Sequence, residues 1–396
     1  MKVQEIALSR RLVPQKLSAR DTPHATIEPN TTCNIRCARC YCIEQPVVKP
    51  FAEVKAEIDL ALARRRLDAL SLLGGEPTLH PDLPAIVRYV KQKGLVCMVL
   101  TNGVRFLDDP RDPLLDELLR AGVDRFLVHI DEGQKHVHGD IDAARHRLFD
   151  LLDARKVCYG LSLTLYPGRE AELPRVMRRF AHHPYLDGAL CTLSFDLDHA
   201  FDPAPSGSPR ASMREAYRAI GDVLRIEPAA YLPSSTSDDE VSWLMYFYFI
   251  DAETGDTFAI SPALNRAMKA IFRRIAGREL FAETVRPSAV PGSFVAAAAG
   301  ELLLHPGRAK DLVQLFHRGH RVENLRFHYL VVQEAPRWDA EHGKVQICWQ
   351  CPDAVVRNGT LVPVCIAGRV SPLEGRPPTA PPAVVEEIAR HLGGAG

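Results

Sequence analysis

The stretch Cys33-Asn34-Ile35-Arg36-Cys37-Ala38-Arg39-Cys40 sets three thiols apart by three and then two residues. That spacing lets one short loop wrap a single inorganic cluster, and it stops one ligand short of the four cysteines that close an iron–sulfur cube. A cube held by three thiolates keeps one iron open to a ligand that is not protein. The loop follows an extended segment, His24-Ala25-Thr26-Ile27-Glu28, and the turn-forming Pro29-Asn30, so it falls where a strand ends and a helix is expected to begin. Structural zinc prefers paired Cys-x2-Cys knuckles that together give four ligands, which the first spacing fits poorly. Three cysteines in a polar, arginine-containing loop also make poor core filler.

From residue 24 to about 196 short apolar segments alternate with amphipathic ones. Strands are expected at 24–28, 69–73, 95–101, 125–130, 157–165 and 189–195, with helices at 51–65, 83–92, 113–121, 141–154 and 170–182. Such repeats make an α/β fold, a parallel sheet with helices outside. The alternation by itself permits a doubly wound sheet as well as a curled one. The second strand ends in Gly74-Gly75-Glu76-Pro77, where two glycines allow close backbone approach and the proline fixes the turn. Backbone carbonyls and Glu76 there can meet an ammonium group.

The CxxxCxxC loop after a first strand, followed by Gly-Gly-Glu-Pro at the end of the second, resembles the radical S-adenosylmethionine (SAM) superfamily. The resemblance implies a partial (β/α)6 barrel and a 4Fe-4S cluster on Cys33, Cys37 and Cys40 whose open iron chelates SAM. It further implies reductive cleavage of SAM to methionine and a 5′-deoxyadenosyl radical, which abstracts hydrogen from a substrate. Gly74, Gly75 and Glu76 would bind the SAM amino group. Thr101-Asn102-Gly103 matches the polar end of the family's third strand and places Asn102 near SAM, although Asn-Gly reads equally as a turn. The fourth strand runs into His129-Ile130-Asp131, where alternation points His129 and Asp131 the same way, as a candidate catalytic pair that contacts ribose or substrate. A satisfied buried histidine is the other reading. Ser162 and Thr164 share a face on the fifth strand. The chain departs from the family at Arg39, which stands where an aromatic residue usually packs near adenine; guanidinium stacking or Tyr41 is expected to replace it. Cys42 reads as a passenger.

A second triplet, Cys348-Trp349-Gln350-Cys351 and Cys365, brackets Asn358-Gly359 between apolar runs. That dipeptide predicts a hairpin that returns Cys365 beside the Cys-x2-Cys pair. The pattern resembles the auxiliary cluster of the molybdopterin-precursor cyclase family and, more loosely, Twitch-type domains. It implies a second 4Fe-4S cluster that anchors substrate or relays electrons. A zinc knuckle completed by His342 or Asp353 is the alternative. The fourth-strand sequence and the long segment before the second triplet argue against that cyclase itself. The glycine-rich end at 393–396 reads as low complexity. Cys97, Cys158 and Cys191 fall in strand patterns and read as core.

The 396 residues divide into an N-terminal extension (1–23), the barrel (24–200), a linker with an α+β substrate or capping region (201–340), and a cluster hairpin with tail (341–396), which makes the last two a C-terminal α+β extension. Residues 202–210 read as a turn-rich linker, 211–225 as a helix, and 241–250 as a strand that turns at 254–256 into 257–260. Trp243, Tyr246, Phe247 and Tyr248 in that strand read as core, or as the wall of an apolar chamber. Helices are expected at 262–276 and 382–391. Arg64-Arg65-Arg66 and the row Arg266, Lys269, Arg273, Arg274 and Arg278 read as solvated helix faces. A formal net charge of zero supplies no basic field for nucleic acid. No apolar run reaches membrane-spanning length, and the N-terminus lacks an apolar leader. Clustered cysteines point to a reducing compartment, hence the cytoplasm. The expected activity is a radical SAM enzyme on a small-molecule or peptide substrate, reduced by a flavodoxin or ferredoxin-type donor. A non-catalytic iron–sulfur carrier and a zinc-bearing structural protein are the rivals.

Overall fold

The computed structural model describes residues 1–6, 12–42, 46–196, 201, 210–280, 290–310, 313, 320–339, 342–373 and 375–393. The expected linker, apart from Arg210, and the terminal 394–396 lie outside the described residues. Six strands, β1 (His24–Asn30), β2 (Ala69–Gly74), β3 (Val96–Thr101), β4 (Arg125–Val128), β5 (Cys158–Leu165) and β6 (Leu186–Leu193), each pair in parallel with the next. Between them run α1 (Phe51–Arg64), α2 (Leu83–Gln92), α3 (Val104–Asp108), α4 (Leu114–Ala121), α5 (Lys135–His138), α6 (Ile141–Ala154) and α7 (Glu172–Arg179). Local chemistry sets their ends. Asp140 caps α6 by accepting from the Ala143 amide at 3.1 Å, and Gly122 stops α4 in a left-handed conformation. Every residue of β2 and β4 is buried, as expected for a parallel sheet covered on both faces.

The sheet continues past β6. β10 (Leu325–Gln333) pairs in parallel with β6, and β8 (Val241–Asp251) pairs antiparallel with β10. β7 (Ala230–Pro233) and β9 (Thr257–Ala259) both add to β8. On the opposite edge β13 (Ala354–Arg357) lies parallel to β1 and forms the expected hairpin with β14 (Thr360–Pro363). A separate ribbon joins β11 (Arg337–Asp339) to β12 (Lys344–Gln346). The remaining helices are α8 (Met213–Leu224), α9 (Pro262–Ala276), α10 (Val290–Leu304), α11 (Ala367–Val370) and α12 (Pro382–Gly393). The result is a partial (β/α)6 barrel whose twelve-stranded sheet includes strands of the C-terminal α+β extension.

Residues 347–353 span the gap between the two sheet edges. On the β7 side Ser235 N–H donates to the Ile347 carbonyl at 2.8 Å, and Trp349 N–H donates to the Pro233 carbonyl at 3.0 Å. On the β1 side Arg65 donates to the carbonyls of His24 at 2.8 Å and Cys351 at 3.0 Å. Arg65 therefore corrects the expectation of a solvated arginine face: it is only 2% exposed and ends α1 pointing inward. Burial pulls its guanidinium down to about 10, still charged at neutral pH, and carbonyl dipoles satisfy the charge. A buried ion pair, Glu28 with Arg357, ties β1 to β13 one step further along. The α9 row behaves as expected, with Arg266, Arg273, Arg274 and Arg278 exposed.

Candidate functional site

A cavity of about 680 Å³ opens at the C-terminal ends of the parallel strands, where a barrel of this kind places its working loops. Cys33, Cys37 and Cys40 line it, and so do Cys348, Cys351 and Cys365. The strand ends between them supply Glu76, Asn102, His129, Thr164, Thr192 and Trp243.

The first cysteine loop is irregular, and among the described residues between β1 and α1 no helix forms, contrary to the sequence expectation. Side chains from later strands hold it instead. Asn102 donates to the Asn34 side-chain oxygen at 2.8 Å and lies 3.8 Å from Cys33 Sγ. Gln134 Nε2 donates to Cys37 Sγ at 3.5 Å, and the Tyr166 hydroxyl donates to the Ala38 carbonyl at 2.9 Å. Arg39, left-handed with φ 63°, pairs with Asp196 at 3.1 Å. Its guanidinium is thus committed to a carboxylate. Tyr41 lines the cavity and donates from its hydroxyl to the Gly74 carbonyl at 3.2 Å. Gln134, Tyr166 and Asp196 escape a sequence reading because nothing in their own surroundings marks them; the closing of the barrel brings them to the loop.

Burial pushes the Cys37 thiol up to about 12 and raises Cys33 and Cys40 as well. Thiols raised in this way ionise when a cationic centre binds them. Among the described residues neither cysteine trio brings its three sulfurs within 4.8 Å of one another. One tetrahedral zinc with bonds near 2.3 Å would draw them to roughly 3.8 Å. A four-iron cube, whose corners stand further apart, suits the spread of Cys33, Cys37 and Cys40, whereas Cys348 and Cys351 are close enough to hydrogen-bond. Side-chain amides aimed at sulfur, as from Gln134 and Asn102, are the contacts that tune such clusters.

The Gly-Gly-Glu turn clamps the root of this loop. Gly75 N–H donates to the Asn30 carbonyl at 3.0 Å and Glu76 N–H to the Thr32 carbonyl at 2.8 Å. A Cβ on Gly75 would stand 2.2 Å from the Thr32 oxygen and 2.4 Å from the Thr31 oxygen. Gly74, at φ 130°, has the Asn30 oxygen equally close. Gly75→Ala is therefore expected to displace the loop, costing about 1–3 kcal/mol as overpacking does, with loss of cluster iron. Gly221→Ala, in open space on α8, should leave both unchanged. Iron analysis and thermal unfolding of the two variants check this.

Glu76 is 1% exposed and already engaged. Its Oε1 accepts from Thr78 Oγ1 at 2.7 Å, Thr101 Oγ1 at 2.8 Å and Thr78 N–H at 3.1 Å, while Oε2 accepts from Asn102 N–H at 2.7 Å. Burial raises its pKa against the pull of these donors. Its first task is to lock the ends of β2 and β3 together, and Oε2 keeps an acceptor position for a ligand.

His129 and Asp131 meet at 3.4 Å, but of the two only His129 lines the cavity. β4 ends at Val128, so strand alternation no longer applies beyond it. His129 lines the cavity, with Nδ1 at 3.0 Å from the Ser162 carbonyl and Nε2 at 3.4 Å from Asp131. Asp131 lies behind it, 1% exposed, accepting from Gly133 N–H at 2.8 Å and Thr164 N–H at 2.9 Å. It is placed to hold His129 and the β5 end, whereas Ser162 and Thr164 reach the cavity as expected.

On the far wall Trp243 Nε1–H donates to Cys348 Sγ at 3.0 Å, so this aromatic of β8 serves the chamber. Tyr246 and Tyr248, on the other face of the strand, belong to the main core. The Cys351 thiol is pushed up chiefly by its hydrogen bond with Cys348 and then by burial; burial alone leads at Cys365. Asp353 lines the cavity and accepts from Gln333 at 2.7 Å, and Gln333 in turn accepts from Thr192 at 2.9 Å. His342 pairs with Asp339 at 2.8 Å and does not line the cavity. Cys97 and Cys191 are core, as expected, and Cys158 is half-buried.

Residues 27–160 match the sequence profile of the family described as the Radical SAM superfamily. The chain is 30% identical over 128 residues to the GTP 3′,8-cyclase of Chlorobaculum tepidum, covering 31% of this chain and 37% of that protein. It is 37% identical over 151 residues to the Fe-coproporphyrin III synthase of Methanosarcina barkeri, covering 36% and 37%. To the PqqA peptide cyclase of Xanthomonas campestris pv. campestris it is 27% identical over 125 residues, covering 28% and 31%. The matched region spans less than half the length of each of these relatives. No described helix is long and apolar enough to cross a membrane.

Proposed function

We propose, on the match of residues 27–160 to the radical SAM superfamily, that the chain is an enzyme that cleaves SAM reductively to act on a substrate held beside two clusters. The observation that carries this is the shared cavity, which both cysteine trios line. Bound at Cys33, Cys37 and Cys40, a 4Fe-4S cluster would supply the electron that splits SAM and so the 5′-deoxyadenosyl radical that takes hydrogen from the substrate.

The protein's own residues supply position and shielding. Glu76 Oε2 and the Gly74 and Gly75 carbonyls face the SAM ammonium, Asn102 braces the loop, and Tyr41 closes the cavity beside it. His129, held by Asp131 and the Ser162 carbonyl, presents its ring to ribose or substrate. Cys348, Cys351 and Cys365 would hold a second 4Fe-4S cluster, with Trp243 donating to one of its sulfurs. The cavity lies within the range that holds one drug-sized ligand. The substrate proposed to lie beside SAM is a small molecule or a peptide, in keeping with relatives named for nucleotide, porphyrin and peptide chemistry. Cys33 and Cys40 are exposed, which gives a flavodoxin or ferredoxin-type donor a short path to the first cluster. A pure electron carrier has no need of the polar strand ends between the trios.

Anaerobic reconstitution with iron and sulfide, followed by SAM and dithionite, is expected to yield 5′-deoxyadenosine and methionine. Full iron loading at both trios without 5′-deoxyadenosine would overturn the enzyme reading in favour of the carrier.

A further inference from the structure

A group of three histidines lies at the end of the barrel away from the cavity, beside the starts of β5 and β6. His146 projects from α6, and His182 and His183 follow α7. One ring nitrogen from each lies within 4.8 Å of the others. Their rings crowd together, with centroids 4.3 Å apart for His182 and His183 and 5.6 Å for His146 and His183. His183 is 3% exposed, and its Nδ1 meets Asp153 Oδ2 at 2.7 Å. Asp153 is itself fixed by the Tyr159 hydroxyl at 2.9 Å.

A carboxylate accepting from Nδ1–H settles the tautomer and leaves the Nε2 lone pair free. That Nε2 is buried and has no hydrogen-bond partner among the described residues. Burying such an acceptor unpaired costs roughly 1–3 kcal/mol. Carboxylate, histidine and metal in line is the usual way a protein orients an imidazole ligand. Zinc bonds of about 2.0–2.1 Å place tetrahedral nitrogens roughly 3.3 Å apart. Rotation of the exposed His182 closes most of the difference. Asp150, one turn beyond His146 on α6, lies within the same reach of Asp153 and His183 and offers a carboxylate oxygen.

We propose that His146, His182 and His183 bind a divalent transition-metal ion, zinc foremost, at a site separate from the cysteine cavity. Neutral imidazoles with an adjacent carboxylate select zinc, nickel or copper over magnesium and calcium. The ion would staple α6 to the loop that enters β6.

Cluster-loaded protein, stripped of loose metal with a mild chelator, is dialysed against ZnCl2 and its zinc measured by mass spectrometry. Wild type is expected to gain about one zinc per chain more than His182→Ala or His146→Ala, and to show a zinc-dependent rise in thermal midpoint that both variants lack. His182 is exposed, so its variant retains the fold, checked by an unchanged midpoint without zinc. Asp153→Asn should weaken uptake by about 10–100-fold. Equal zinc in wild type and the histidine variants, or none in wild type, overturns the site; undiminished affinity in Asp153→Asn removes Asp153 from it.

Discussion

Cys37→Ala is expected to abolish 5′-deoxyadenosine formation, by more than roughly a thousandfold, because members of a unit that acts together fail together. Cys37 is half-buried and its sulfur takes the Gln134 amide, so no other group stands where its thiolate would be. Cys42 also lines the cavity, two residues beyond Cys40, with its carbonyl 3.8 Å from Cys40 Sγ. Iron should fall from about eight to about four per chain with both sites otherwise loaded as cubes. The folded protein should persist, since the loop lies outside the hydrophobic core. Retained SAM cleavage in this variant would remove the assignment of the trio.

Cys351→Ala is expected to do something different. It should lose the second cluster, again about four irons per chain, while leaving SAM cleavage within several-fold of wild type. The two trios come from separate segments of the chain, and SAM's proposed contacts at Gly74, Gly75, Glu76 and Asn102 belong to the strand ends that hold the first. Hydrogen transfer to substrate should then fail, leaving cleavage uncoupled. Cys351 is only 2% exposed, so Cys365→Ala, at a half-buried position, guards against a folding defect. Quenching of Trp243 emission offers a local readout, because its indole N–H lies 3.0 Å from Cys348 Sγ. Loss of SAM cleavage in both variants to the extent seen for Cys37→Ala would sink the division between the two sites.

Much of the barrel is legible in the residue pattern. The strand starts at His24, Ala69 and Arg125 and the whole of α2, α6 and α9 fall where periodicity puts them, since amphipathic helices and buried parallel strands carry their burial in their own residues. β10 is not legible in that way. It sits inside the sheet between β6 and β8, and its apolar–polar alternation runs only from Leu325 to Tyr329 before Leu330-Val331-Val332 breaks it. α10 has no polar stripe strong enough to set it apart from an apolar run. Arg65 shows the same limit for charge: beside Arg64 and Arg66 it reads as surface, and only the arrival of the Cys351 carbonyl makes it an interior group.

The chain itself determined the chemistry: the first trio's spacing, the Gly-Gly-Glu turn and the Asn358-Gly359 hairpin are all short-range features, fixed by covalent reach and backbone sterics. Tertiary structure alone decided that the two trios share one cavity, that Asp131 stands behind His129, and that Gln134 and Trp243 donate to cysteine sulfurs. Those pairings join residues 97 or more positions apart in the cases of Gln134 with Cys37 and Trp243 with Cys348. Contacts of that range depend on the sheet curling and on residues 347–353 closing it, and no local pattern encodes where a closing sheet will bring its edges.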